Sequence, residues 1–425
     1  MINIQIENIG KVKEANIILE GVSVIAGLNG TGKSTIAKSV FASVNARRNI
    51  LDKTRSDRKL SIDDRIIRWM DQNNNLSGDY YMDITQELAT HILESFENEK
   101  WNKKDIPKNI ENIIEEYCQN NRLSDQGIEE VSEYIVTVLC RTMDEYVNFF
   151  VEQYYQSVFK NQITPIRGKG QSSVHYYKKT EDERIIESSV AIKDNKLNIV
   201  GKPLIFQQEN AVYIETYSVL DFCEETGRRT RRGSYLNRMT LPARELLNSL
   251  TEEKVLSYDE QQKVELNEKI AQDIVEQVTH GYLRKNQNGS LEFLDKEAEE
   301  KIEFSNMSAG LKIFTILQQL IGNYSLKKGD VLVVDEPEVN LHPTWQVVLA
   351  EILVRVYKEL GIYILVNSHS PYFIRAIEVK MAKYGCALQG HYYYMEQNDD
   401  GFVCKDVSHN TEVIYETLYR PLNEL

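Results

Sequence analysis

Cysteine is scarce in this chain. The five cysteines (Cys118, Cys140, Cys223, Cys386 and Cys404) are odd in number, stand far apart and form no Cys-x-x-Cys pair. That argues against a disulfide framework or a zinc site and suits a reducing, cytoplasmic setting. Long apolar runs are missing as well: none approaches the ~20 residues that a membrane-spanning helix needs. The opening residues MINIQIENIG carry neither the basic nor the apolar segment of a secretion signal, so no membrane contact is expected. Positive charge is in deficit, with 50 Lys and Arg against 64 Asp and Glu and a net charge of −14. A general affinity for nucleic acid is thereby disfavoured, and any such contact needs a local basic patch. The sequence has no internal repeat, no Gly-x-Ser-x-Gly elbow, no His-Glu-x-x-His and no paired metal-ligand histidines. His91, His175, His280, His391 and His409 are scattered and are read as structural or exposed.

Hydrophobic residues make up 42% of the 425, enough for one large or two ordinary domains. Ile2, Ile4 and Ile6 alternate with Asn3, Gln5 and Glu7, the period of a half-buried strand. Further strands are expected over Ala15–Leu19 and Val22–Ala26, followed by a helix over Lys33–Arg48. From about Asp52 to Asn161 the pattern is helical and charged. Within Gly127–Lys160, Ile135, Leu139, Tyr146, Phe150, Tyr154 and Val158 recur at helix-face spacing, a stripe read as core packing rather than a ligand platform. Residues 172–213 predict a small antiparallel meander, ETGRRTRRGS a loop, Ser257–Thr279 a helix and YLRKNQNGSLEFL a hairpin. From Phe304 on, helices alternate with buried strands at 331–334 and 362–366, which signifies a parallel sheet. A last hairpin, HYYYMEQNDDGFVCKDV, and a short helix follow. The two ends thus read as halves of one α/β domain, with mostly helical material inserted between them.

Four stretches carry chemistry. Gly27-Leu28-Asn29-Gly30-Thr31-Gly32-Lys33-Ser34 satisfies G-x-x-x-x-G-K-[ST] and sits between a strand and a helix. Such a loop wraps phosphate with backbone N–H groups, its glycines permit the required dihedrals, and the following helix turns its positive end to the anion. Asn29, Gly30, Thr31, Gly32, Lys33, Ser34 and Thr35 are therefore the candidate ATP-binding residues, with Ser34 also reaching Mg²⁺. The plainer alternative is a tight glycine turn. VLVVDEPE, residues 331–338, ends a buried strand in Asp335 and Glu336, one suited to hold Mg²⁺ and the other to orient or deprotonate water. Ser308-Ala309-Gly310 opens an apolar helix, where an ordinary serine cap is the plain reading. A further buried strand ends in Ser368-His369-Ser370-Pro371.

Taken in order, these motifs resemble the ABC-type ATPases, specifically the SMC/RecF/OLD branch. GLNGTGKST stands as Walker A, NMSAGLK as the signature, LVVDEPEVNLHP as Walker B with D-loop, and VNSHSPYF as the switch-histidine segment. The E-x-x-L-H-P and SHSP contexts resemble OLD-like ATPases and the standalone ATPases of antiphage systems such as Septu and PARIS. The resemblance covers mainly residues 1–48 and 300–378. It implies an α/β, ABC-ATPase-like P-loop head with a mixed or parallel sheet, an antiparallel β subdomain and a large helical insertion. The expected division is 1–48 with 300–425 as a split head, 49–170 as the insertion, 171–220 as the antiparallel part, and 221–299 as a loop and helical subdomain on the signature side. The implied roles are Lys33 on the β/γ-phosphates, Ser34 and Asp335 on magnesium, Glu336 on the water and His369 on the γ-phosphate side. Ser308 and Gly310 would act in trans, covering ATP held by the other subunit of a two-fold homodimer. The signature reads Met307-Ser308-Ala309-Gly310 rather than L-S-G-G, and the Q-loop glutamine is left between Gln207 and Gln208. His342 is expected to shape the D-loop.

Too little chain follows the switch helix for the TOPRIM nuclease domain that OLD-like chains often carry, so nuclease chemistry is expected in a separate protein. Two basic stretches stand out: Arg228, Arg229, Arg231 and Arg232 with Arg238 and Arg244 nearby, and Arg47, Arg48, Lys53, Arg55, Arg58 and Lys59. Each is either a solvated segment or a contact for DNA, RNA or an acidic partner. Three functions remain. The preferred one is a cytoplasmic antiphage ATPase that dimerises on ATP and controls a nuclease or toxin effector. The alternatives are a RecF/SMC-like repair or chromosome-maintenance ATPase and, least, a transporter subunit, for which the insert is too long.

Overall fold

Alternating isoleucines make β1 (Ile2–Ile9), which turns back into β2 (Val12–Leu19); β3 (Val22–Ala26) is buried along its whole length and runs into α1 (Lys33–Asn45). These elements belong to a computed structural model that describes all residues except 74–78, 99–100, 103, 122–123, 125, 166–170, 181, 194, 202–205, 207, 224–238, 252–263, 288–289 and 424–425. Five helices follow: α2 (Ile50–Asn73), α3 (Asp79–Asn98), α4 (Ile106–Asn121), α5 (Ile128–Cys140) and α6 (Met143–Phe159). Next come β4 (Ser172–Lys179), β5 (Ile185–Lys193), β6 (Lys196–Gly201), β7 (Ala211–Ile214), α7 (Val219–Cys223), α8 (Leu241–Thr251) and α9 (Val264–Ile274). The chain continues through β8 (Gly281–Lys285), β9 (Leu291–Asp295), β10 (Lys301–Ile302), α10 (Ala309–Gly322), β11 (Val331–Asp335) and α11 (Pro343–Leu360). It closes with β12 (Tyr363–Ser368), α12 (Pro371–Lys383), β13 (Gly390–Asn398), β14 (Gly401–Asp406) and α13 (Glu412–Asn423).

Eleven described strands form one mixed sheet in the order β6-β5-β4-β1-β2-β14-β13-β3-β12-β11-β7, and β10-β9-β8 form a second, small one. From β13 to β7 all neighbours are parallel, and from β6 to β2 all are antiparallel. The runs VSVIA and VLVV are buried throughout, and apolar but for Ser23, because the parallel part is covered on both faces. Its core brings together Val24, Val334 and Val366 with Phe314, Leu353 and Phe373 of α10, α11 and α12. Register sets the site: Ala26 lies opposite Ser368, and Asp335 opposite Asn367. The glycine loop, the acidic pair and the histidine segment therefore leave the sheet at the same edge, the carboxyl end, where open α/β sheets bind ligands.

The chain divides into two compact units, Met1–Arg48 with Val151–Leu425, and Asn49–Phe150. The smaller unit is helical and has its own core, including Ile62, Ile66, Leu88, Ile92, Ile110, Ile114, Val131 and Ile135. It ends well before residue 170. The C-terminal half of α6 lies with the larger unit, where buried Tyr155 meets the Ser43 hydroxyl of α1 at 3.0 Å. The strands expected over 172–213 are antiparallel in β4, β5 and β6, but they join the main sheet, where β4 pairs with β1, and β7 lies parallel to β11. The Gly127–Lys160 stripe spans two helices, broken at Arg141–Thr142. Thr142 and Glu145 bond reciprocally there, N–H to carboxylate at 2.7 Å and N–H to hydroxyl at 3.3 Å, a capping box that starts α6. Ile135, Leu139, Tyr146 and Val158 of the stripe are buried, while Phe150 and Tyr154 are half-buried.

Candidate functional site

Gly30 and Gly32 adopt φ of 76° and 102°, and a Cβ on Gly32 would lie 2.9 Å from Val12 Cγ2. Only glycine fits both demands. Gly32 precedes α1 without any side-chain cap, and the first turn holds no acidic residue, so the helix presents its N–H groups to the loop. Thr31 Oγ1 donates to Leu28 O at 2.9 Å and Lys11 Nζ to Gly30 O at 3.0 Å, bracing the turn. Lys33 is buried, and its Nζ donates to Gly27 O at 2.8 Å and Leu28 O at 3.0 Å. Burial pulls its pKa below the ordinary value, opposed by Glu336, Asp335 and Glu338. Asn29, Gly30 and Ser34 are exposed and Thr35 is half-buried.

The acidic side meets this loop. Glu336 Oε1 lies 3.8 Å from Lys33 Nζ. Asp335 ends β11 and accepts hydrogen bonds from the Tyr213 hydroxyl at 2.7 Å and Asn367 Nδ2 at 2.9 Å, which fix its carboxylate. Burial, and then Asp335, push the Tyr213 phenol well up, so it stays a donor. Glu336 has φ of 47°, an uncommon conformation for glutamate, held by its N–H on Asn367 O at 2.9 Å and its carbonyl on the Tyr217 hydroxyl at 3.2 Å. His369 Nδ1 stands 3.6 Å from Glu336 Oε1 and 3.5 Å from Glu338 Oε1 and has no hydrogen-bond partner among the described residues.

Lys33, Asp335, Glu336 and His369 are thus brought together. Ser308 is exposed and caps α10, accepting from Leu311 N–H at 3.2 Å. Gly310 is buried: a Cβ there would lie 2.9 Å from Leu341 Cδ2 and 3.3 Å from both Asn340 O and Trp345 Cζ3, so packing alone calls for glycine. His342 caps α11 through Nδ1, which accepts from Thr344 N–H at 3.3 Å. Gln207, Arg228, Arg229, Arg231, Arg232 and Arg238 lie outside the described residues, and Gln208 is exposed. Members of the second basic stretch make local contacts. Arg47 is fully buried with its guanidinium 4.7 Å from the Tyr176 ring centre, Arg48 donates to Asn210, and Arg55 pairs with Glu97.

Sequence reasoning passed over Tyr213, Tyr217 and Asn367, and quoted Glu338 without a role. Glu338 is buried, and its Oε1 accepts from Ser368 Oγ at 2.6 Å, His369 N–H at 3.0 Å and Ser370 N–H at 3.2 Å. The spacing Asp335-Glu336-Pro337-Glu338 was the available signal, whereas nothing in AVYIETY marks its tyrosines as polar partners.

The donor set fits a magnesium-bound nucleoside triphosphate: a glycine cradle on an uncapped helix start, a buried ammonium, an exposed Ser34 hydroxyl beside it and one oriented carboxylate. Three solved structures are similar at low identity. The Smc head bound to the C-winged-helix domain of ScpA has 11% identity and a TM-score of 0.47, covering 97% of this chain and 98% of that one. The SMC head domain from Thermotoga maritima has 11% identity and a TM-score of 0.39, with 95% and 98% covered. The Smc head with an extended coiled coil, bound to the C-terminal domain of ScpA from Pyrococcus furiosus, has 12% identity and a TM-score of 0.44, with 99% and 100% covered. These likenesses are too loose to bear on function. No curated relative matches the chain. The family model described as AAA ATPase domain matches residues 1–374, a span that takes in the glycine loop, the acidic pair and His369. The chain belongs to the AAA ATPase domain family.

Proposed function

We propose that this chain is an ABC-type ATPase of the OLD-like branch that binds ATP with Mg²⁺, hydrolyses it, dimerises around it and thereby controls a separate nuclease or toxin effector in antiphage defence. The observation that carries the ATPase reading is the convergence of Lys33, Asp335, Glu336 and His369 at one sheet edge, with Lys33 and Glu336 3.8 Å apart.

Lys33 binds the β/γ-phosphates from inside the loop, and Asn29 to Thr35 supply the surrounding amides and hydroxyls. Ser34 and Asp335 hold magnesium, which when bound neutralises phosphate charge. Tyr213 and Asn367 keep the Asp335 carboxylate in one orientation. Glu336, half-exposed and aimed by its unusual backbone, orients or deprotonates the attacking water. His369 monitors the γ-phosphate side. Exposed Ser308, together with the Gly310 segment, covers the ATP of a second copy.

The OLD-like reading draws support from Glu338 of E-x-x-L-H-P and Ser368, His369 and Ser370 of SHSP. The two stretches that set this branch apart form one hydrogen-bonded unit here. The test is Glu336→Gln in the full chain. It is expected to keep ATP, lose turnover and run as a dimer with Mg²⁺ and ATP in light scattering. Normal turnover would refute the role of Glu336, and a monomer at saturating ATP would refute the sandwich. Isolation of the chain with its neighbouring gene products tests the effector; recombination proteins in place of a nuclease or toxin would favour the repair alternative.

A further inference from the structure

We propose that Glu338 is the positioning residue for His369: its carboxylate gathers the whole Ser368–Ser370 turn onto the loop that carries Glu336, and so places the imidazole beside that glutamate. The proposal rests on the ATPase reading above.

Glu338 has 4% of its side chain exposed, too little to meet a substrate, so its influence has to pass through what it holds. One oxygen, Oε1, receives three donors from three successive residues: the Ser368 hydroxyl, which is fully buried, and the His369 and Ser370 amides. Burial raises the pKa of this carboxyl, and those donors oppose the shift. The turn is held from its other side by Ser370, whose hydroxyl accepts from Phe373 N–H at 3.2 Å to cap α12 and donates to Gln346 at 3.3 Å. The His369 ring has no hydrogen bond at Nδ1 among the described residues, and that nitrogen stands 3.5 Å from Glu338 Oε1 and 3.6 Å from Glu336 Oε1. Glu338 therefore sets the ring's place through the backbone it holds and through this close approach. Removing the acceptor strands the buried Ser368 hydroxyl and the His369 amide, while the Ser370 amide keeps Ser368 Oγ at 3.0 Å, a drive for the turn to move. The second oxygen, Oε2, has no partner in the described residues, so a glutamine can keep the accepting oxygen in place.

The experiment compares Glu338→Leu, Glu338→Gln, His369→Ala and the Glu338→Leu/His369→Ala pair in the full chain. It reads kcat, KM, equilibrium binding of a fluorescent ATP analogue, and amide exchange at His369 and Ser370. Glu338→Leu should lower kcat about a hundredfold, the scale of a small misplacement, with nucleotide affinity within about threefold of wild type and faster exchange above all at the His369 amide. The paired variant should be no slower than His369→Ala, because Glu338 acts through that ring. Glu338→Gln should recover most of kcat and the amide protection. Additive losses in the pair, or Glu338→Gln as slow as Glu338→Leu with its amides still protected, would overturn the proposal. Should Glu338→Leu not fold, Ser368→Ala removes one of the three donors; unchanged exchange and unchanged kcat in that variant would overturn it equally. Absence of turnover in wild type refutes the ATPase reading, whereas turnover that Glu338→Leu leaves intact refutes only this inference.

Discussion

Lys33 Nζ and Glu336 Oε1 lie 3.8 Å apart, although one opens the first helix of the chain and the other follows β11. The parallel neighbours β3, β12 and β11 end in step and make that approach possible. The ammonium is buried among loop carbonyls with three carboxylates near enough to act on it.

Replacing Lys33 by alanine should therefore weaken ATP binding by about a hundredfold or more, as expected for a charge-assisted phosphate contact in a desolvated loop. Isothermal titration with Mg²⁺ and ATP reads this. The melting temperature should hardly fall, because a buried ammonium with a lowered pKa contributes little to folding.

Tyr213→Phe removes one of the two donors that orient Asp335. Groups that orient a metal ligand typically matter by about 10–100-fold in metal affinity. The Mg²⁺ concentration needed for half-maximal ATP binding should rise by that factor, while binding at saturating Mg²⁺ is largely kept. Magnesium titrations of nucleotide binding decide the matter.

Gly310→Val tests packing separately from nucleotide. A side chain there meets Leu341, Trp345 and the Asn340 carbonyl at 2.9–3.3 Å. Overpacking of this kind costs about 1–3 kcal/mol, so the nucleotide-free variant should melt earlier than wild type. An unchanged melting curve would mean that the loop after β11 yields freely.

Glu351 gives the fold a pH signature. Burial alone would raise its pKa, but Lys380, Lys383 and the Tyr384 hydroxyl outweigh it and hold the carboxyl at about 2, against an ordinary 4.5. A carboxylate held low in the fold stabilises it fully above the ordinary value, and that contribution fades as pH falls from about 4.5 toward about 2. Glu351→Gln should melt below wild type at neutral pH, and the gap should narrow across that window. Melts at several pH values measure it.

The sheet was legible where burial is two-sided. The strand at 331–334 announces itself as an unbroken apolar run, Val22–Ala26 as one broken only by Ser23, and the glycine loop between strand and helix is a local pattern. β7 was not, because four residues, AVYI, are too few to show a period. Its tyrosine became a partner of Asp335 only through pairing with β11. The edge of the helical unit at Phe150 was hidden for another reason: α6 runs through it without a break. Thr142-x-x-Glu145, by contrast, was a readable start signal for α6 that the aromatic stripe obscured. Arg47 looked basic and exposed in sequence, yet it is buried against Tyr176, a contact that depends on β4 lying beside β1.

The most direct measurement is steady-state phosphate release from ATP by the full chain with Mg²⁺, run beside Lys33→Ala and Glu336→Gln. The account predicts turnover by wild type and none above background by either variant, with Glu336→Gln alone still holding ATP. Wild type no faster than Lys33→Ala, or Glu336→Gln as fast as wild type, would contradict it.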